Sequence, residues 1–201
     1  MPVQKTVEFG PIAEKLVGMI GSARDAFNRH SLASLGQFKN LQEAAGKEIE
    51  AAIKKLETQM AQAGAGDKAF LASQHGLLNR LQLIVATLGG LGEPISKKVK
   101  DNVLFSEKAV SQTNSLFDSQ AGMLRSVFDF IQTNNDYLKK FVMAEGAKTV
   151  KDCAEFATEH ETRLIEGLCL PQAAPIFLAI LDRFRTLGQQ EVELIQQLDK
   201  K

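Results

Sequence analysis

The sequence contains no tryptophan, a single tyrosine and two cysteines, and its 24 basic residues are cancelled by 24 acidic ones. Each shortage excludes something. Nucleic-acid binding rests on an excess of basic side chains that neutralise phosphates, and single strands also need aromatic faces on which bases stack. No basic run breaks the balance locally and Tyr137 is the lone tyrosine, so nucleic acid is not an expected partner. Cys153 and Cys169 lie outside any Cys-x-x-Cys or Cys-x-x-His spacing. They therefore suggest neither a zinc site nor a disulfide framework, and read as buried thiols on helical segments in a reducing cytosol. The longest apolar run, Leu83 to Gly92, falls short of the roughly 20 residues of a membrane helix. The opening MPVQKTVEFG lacks the layout of a secretory leader. The expectation is a cytoplasmic protein without direct membrane insertion.

What is present is helical periodicity. With 44% hydrophobic and 24% charged residues, the chain has the composition of a protein that folds unaided. Ile12, Leu16, Met19, Ile20, Ala23 and Phe27 recur at steps of three and four, the mark of a helix with one buried stripe. A second such stretch runs from about Leu35 to Met60 and ends at Ala63-Gly64-Ala65-Gly66. Asp67 is a candidate N-cap for a third, which passes through Leu71, Leu78, Leu81, Val85 and Leu88. Three glycines and Pro94 within Gly89 to Pro94 oppose a helix interior while periodicity resumes at Ile95, predicting a kink or a short break with Pro94 early in the restarted segment.

The second half repeats the order. Ser106 is a candidate N-cap ahead of a helix through Phe130 and Ile131; another runs from Asp136 to about Glu166, stopped by Gly167; the last begins near Pro171 and carries Phe177, Phe184, Leu187 and Leu194. At an offset of 104 residues Met19, Ser22, Asp25, Lys47 and Glu57 match Met123, Ser126, Asp129, Lys151 and Glu161; at 99, Thr87-Leu88-Gly89 matches Thr186-Leu187-Gly188. The fold class expected is all-α: six long helices forming two tandem three-helix bundles, residues 1–104 and 105–201, within one compact domain.

Chemistry is harder to find. The Glu-x-x-His spacing of di-metal bundles fails, since Phe27, Ala72 and Ala157 precede His30, His75 and His160 by three positions. The histidines read as surface or capping residues. Asp152, Glu155 and Glu159 share a helix face, but Lys148, Lys151 and Arg163 stand close enough to make it a solvated stripe. Gly64-Ala65-Gly66-Asp67 follows a helix, whereas a dinucleotide fingerprint follows a strand. Seven positions separate Cys153 from His160, about 10 Å along a helix axis and too far for a catalytic pair. No enzyme is expected.

The stretch Glu159-His160-Glu161-Thr162-Arg163-Leu164-Ile165-Glu166-Gly167-Leu168-Cys169, followed by Ala174-Pro175-Ile176-Phe177-Leu178 and Arg185-Thr186-Leu187-Gly188, resembles the closing part of PhoU-like domains, including those attached to sodium/phosphate cotransporters. The resemblance implies a tandem three-helix architecture and a role in phosphate uptake or its regulation. It implies protein partners, a phosphate transporter or a sensor kinase, in place of catalysis, and leaves monomer and homodimer both open. The family's paired carboxylates, four residues apart in each repeat, correspond here to Ala86 with Gly90 and Arg185 with Gln189. With all four carboxylates absent and a cation in one position, no metal cofactor is expected. The alternative reading is a small-anion sensor for phosphate, built from Arg163, Arg183 and Arg185, since arginine suits phosphate.

Overall fold

The structure, a computed structural model, describes residues 7–199. It is all-helical, with no strand among the described residues. The helices are α1 (Gly10–Arg29), α2 (Leu32–Gln62), α3 (Ala65–Gly89), α4 (Gly92–Lys100), α5 (Glu107–Thr133), α6 (Asp136–Ile165) and α7 (Ala173–Asp199). Among the described residues seven helices stand where six were expected, because the third is broken. At Gly90 and Leu91 the backbone stays right-handed, but the hydrogen bonds tighten: Gly90 N–H reaches Thr87 O and Leu91 N–H reaches Leu88 O. Pro94, third in α4, has no N–H to return to Gly90, so the regular ladder restarts beyond it.

The apolar stripes predict the core well. Ile12, Leu16, Met19, Phe27, Leu78, Leu81, Leu88, Phe117, Phe177, Phe184 and Leu194 are fully buried, and all seven helices contribute to one continuous hydrophobic cluster. α2 packs on α1 and α3, α6 packs on α5 and α7, and the two sets meet where α1 lies on α5 and where α3 and α4 lie on α7. Close approach of α6 to α7 depends on Gly146, where a Cβ would stand 2.4 Å from Val192 Cγ2 and 3.2 Å from the Gly188 carbonyl oxygen.

Two turns share one construction. His30 ends α1 with φ 50° and its N–H on Ala26 O; Ser31 then caps α2, its hydroxyl accepting from Ser34 N–H. Asn134 ends α5 with φ 50° and its N–H on Phe130 O; Asn135 then caps α6, its side chain accepting from Tyr137 N–H. A left-handed residue closes one helix, and a side-chain acceptor satisfies the orphan N–H groups of the next.

Other boundaries need adjustment. Ser106 caps α5 as expected, accepting from Ala109 N–H, and Gly167, at φ 71°, follows the end of α6. Asp67 is not the N-cap of α3: Gly64 is, and Asp67 sits in the first turn, where its charge favours the helix dipole. Pro171 lies in the turn before α7, its carbonyl accepting from Ala174 N–H.

Candidate functional site

The antiparallel order places three connections at one end of the bundle: α1 to α2, α4 to α5, and α6 to α7. They are laced together by buried and half-buried groups. The Lys98 ammonium of α4 donates to the Phe27 carbonyl at 2.9 Å and stands 2.5 Å from His30 Nε2. It also lies 4.7 Å from the Phe27 ring centre and 5.4 Å from that of Phe105. A cation here meets the negative end of the α1 dipole and two aromatic faces. Burial pushes the Lys98 amine down to about 8, and burial together with Lys98 lowers His30. Neutral His30 Nε2 is then the acceptor and Lys98 the donor.

Phe105 continues the lacing, edge-on to Phe27 at 5.3 Å and to Phe177 of α7 at 5.9 Å. Phe177 in turn packs against His160 at 4.8 Å. The Cys169 thiol lies 3.7 Å from the Ser106 hydroxyl, tying the last connection to the middle one. On α5 and α6, Gln112 donates to Glu159 at 2.8 Å and accepts from Arg163 at 3.1 Å.

His160 corrects the surface reading. It is buried, neither ring nitrogen has a partner, and burial with nearby Arg163 lowers it, so it is a neutral ring in the core. Its face follows from Cys153, seven residues earlier and also buried. Cys169 is corrected too, being half-buried in a connection and not on a helix. The acidic stripe behaves as expected: Lys148 pairs with Asp152 at 3.2 Å, Lys151 with Glu155 at 3.3 Å and Arg163 with Glu159 at 3.6 Å.

The three arginines of the anion reading do not converge. Arg163 turns to Gln112 and Glu159, Arg185 pairs with Asp182 at 2.5 Å, and the Arg183 side chain lies over Gly90. Arg183 borders a groove, about 200 Å³ between α4 and α7, shared with Lys97, Glu93, Pro94 and Pro175. Of the family's metal positions, Ala86 and Gln189 are exposed, Gly90 closes α3 beneath Arg183, and Arg185 holds its own carboxylate.

Burial, reinforced by Asp152, pushes the Cys153 thiol up to about 12, which keeps it protonated. Among the described residues no hydroxyl or thiol is hydrogen-bonded to a histidine: His30 meets Lys98, and His75 meets Asn79 and Glu57.

Lys98 and Glu191 are buried side chains of charged type that escape sequence reasoning. Lys98 hides in the run Lys97-Lys98, and Glu191 sits fully buried on α7 between Leu187 and Leu194. Gln120 of α5 is its polar neighbour, yet both side chains keep unpaired buried atoms. Burial pushes the Glu191 carboxyl up to about 8 against the weaker opposing pull of the Gln120 amide, so it is protonated at neutral pH. The signal for both was register, since each falls on its helix's apolar stripe.

Outside the laced interior this end is apolar. Leu32, Leu104, Ile165, Leu168 and Leu170 are between 51% and 82% exposed, one at each of the first two connections and three at the last. No helix of the described residues is long and apolar enough to cross a membrane. Comparison with protein families, with curated proteins and with solved structures returns no match.

Proposed function

We propose that this chain is a PhoU-like regulatory or adaptor protein of phosphate uptake or phosphate signalling, cytoplasmic and non-catalytic, acting through protein contacts. The observation that carries the reading is the pair of turns at His30-Ser31 and Asn134-Asn135, alike in cap conformation and hydrogen bonding at the 104-residue offset of the sequence matches. It supports two tandem three-helix units, residues 1–104 and 105–201, which is the architecture the resemblance implies. The shared Thr-Leu-Gly adds to it. Leu88 and Leu187 are both fully buried, Gly89 faces Gln42 of α2, and Gly188 faces Thr149 of α6. In each half the glycine meets the second helix of its own unit.

Affinity purification of the tagged chain from its own cells tests the reading. A phosphate transporter subunit or a phosphate-responsive sensor kinase should be retained; recovery without either, under both phosphate-rich and phosphate-starved growth, contradicts it.

The anion-sensing alternative is favoured by one feature, the approach of Arg183 and Lys97 to the same groove. A ligand that binds only the folded state raises its melting temperature. A rise with millimolar phosphate, abolished by Arg183→Gln, supports this alternative, and an unchanged melting temperature removes it.

A further inference from the structure

We infer that the two grooves flanking the start of α4 form one docking surface for an acidic, extended peptide segment of a partner protein. Only the protein nature of the partner is taken from the adaptor reading; its chemistry is set by the grooves.

The first groove, about 200 Å³, lies between α4 and α7, and the second, about 550 Å³, lies between α2 and α4. Glu93 and Lys97 line both, so the two adjoin at these side chains. The break between α3 and α4 shapes them. A Cβ on Gly90 would stand 2.7 Å from Arg183 Nε, and one on Gly89 would collide with the Gln42 amide. Glycine at both positions lets α7 lay Arg183 against the break on the side of the first groove, and α2 lay Gln42 against it on the side of the second.

Charge sets the sign of the ligand. The grooves hold four exposed cations, Lys39, Lys97, Lys100 and Arg183, against two exposed carboxylates, Glu93 and Asp101. Among the described residues none of the four cations forms an ion pair, although the chain as a whole carries as many acids as bases. Unpaired positive charge gathered in a concave surface attracts and orients an acidic ligand.

Shape and hydrogen bonding favour a peptide over a free anion. Pro94, Ile176 and Ala179 give the first groove an apolar wall, a seat for an aliphatic side chain that inorganic phosphate leaves empty. In the second groove Gln42 and Ser96 are half-buried and make no side-chain hydrogen bond among the described residues. The Gln42 amide offers both donors and an acceptor, the complement of a peptide group.

Amide NMR spectra of the isotope-labelled full chain, titrated with the peptide acetyl-Glu-Glu-Leu-Glu-Glu-Leu-Glu-Glu, test this. The backbone signals of Gly89, Gly90, Ser96 and Lys97 and the side-chain amide of Gln42 should shift and saturate at millimolar peptide or below. Lys97→Glu with Arg183→Glu should weaken binding about tenfold or more in a protein whose spectrum stays folded. That variant should instead bind the peptide carrying lysine for every glutamate. Glycine in place of both leucines should weaken binding to the wild type about threefold or more. No shift at millimolar peptide, shifts confined to other surfaces, a glycine peptide that binds as well, or a loss no greater than that from Lys54→Glu, outside both grooves, would each overturn the inference. The same shifts from inorganic phosphate at equal concentration would assign the grooves to a free anion and overturn it as well. The purification above can fail while this peptide binds, and the peptide can fail while a transporter or kinase is retained, so the two readings fall separately.

Discussion

His30 and Asn134 close α1 and α5 in the same left-handed conformation, φ 50° in both, 104 residues apart. Their environments differ. His30 is held by the Lys98 ammonium, whereas Asn134 lies in an exposed turn and makes the backbone bond to Phe130 alone among the contacts described.

The caps that follow should therefore be equivalent and the closing residues should not. Ser31→Ala and Asn135→Ala should each destabilise the protein by about 1 kcal/mol, since each removes the acceptor of a first-turn N–H. Asn134→Gly should stabilise by about 0.5 kcal/mol, glycine being the cheapest residue at positive φ. His30→Gly should bring no such gain, because it takes the acceptor from Lys98. Urea denaturation of the four variants measures all these differences.

Glu191 should make the protein less stable as pH rises. Its carboxyl has a folded value near 8 against 4.5 for an ordinary glutamate. Between those values the folded state holds a proton that the unfolded state has lost, so stability falls across pH 4.5 to 8 and the loss is complete above it. Glu191→Gln keeps the shape without the charge, and should be the more stable protein at pH 8 by about 2–4 kcal/mol. At pH 4 the difference should shrink to a small fraction of that.

Lys98 has the opposite sign. With the folded amine near 8 and an ordinary lysine at 10.5, the unfolded state holds the extra proton between them, and stability rises over that interval. Lys98→Met should flatten this alkaline rise in a series of thermal melts, whatever it does to stability at neutral pH.

The two thiols should react unequally. Cys153 is buried and its thiol is held protonated by a value near 12, while Cys169 is half-buried in the connection before α7. Mass spectrometry after iodoacetamide treatment should find one modified cysteine in native protein, at position 169, and two in urea.

The sequence made the helices legible because their stripes are long and regular. Ile12 to Phe27 and Phe177 to Leu194 fall where a period of 3.6 places them, and nearly every such position is buried. The break at Gly90 was legible only as a conflict between glycine, proline and resumed periodicity, because the outcome depends on how α4 packs on α1, α2 and α7. Lys98, Gln120 and Glu191 were hidden for a different reason. Their residue types argue for solvent while their register argues for the core, and the packing of neighbouring helices decided for register. The apolar end was not legible at all. Leu32, Leu104 and Leu168 stand far apart in sequence, and only the antiparallel order of the helices brings them to one surface.

A role in phosphate regulation is tested most directly by phosphate uptake in cells from which the chain has been deleted. Uptake, or expression of phosphate-starvation genes, should no longer follow external phosphate, and should be restored by the intact chain. A deletion strain whose uptake and starvation response track phosphate as the parent's do would contradict it.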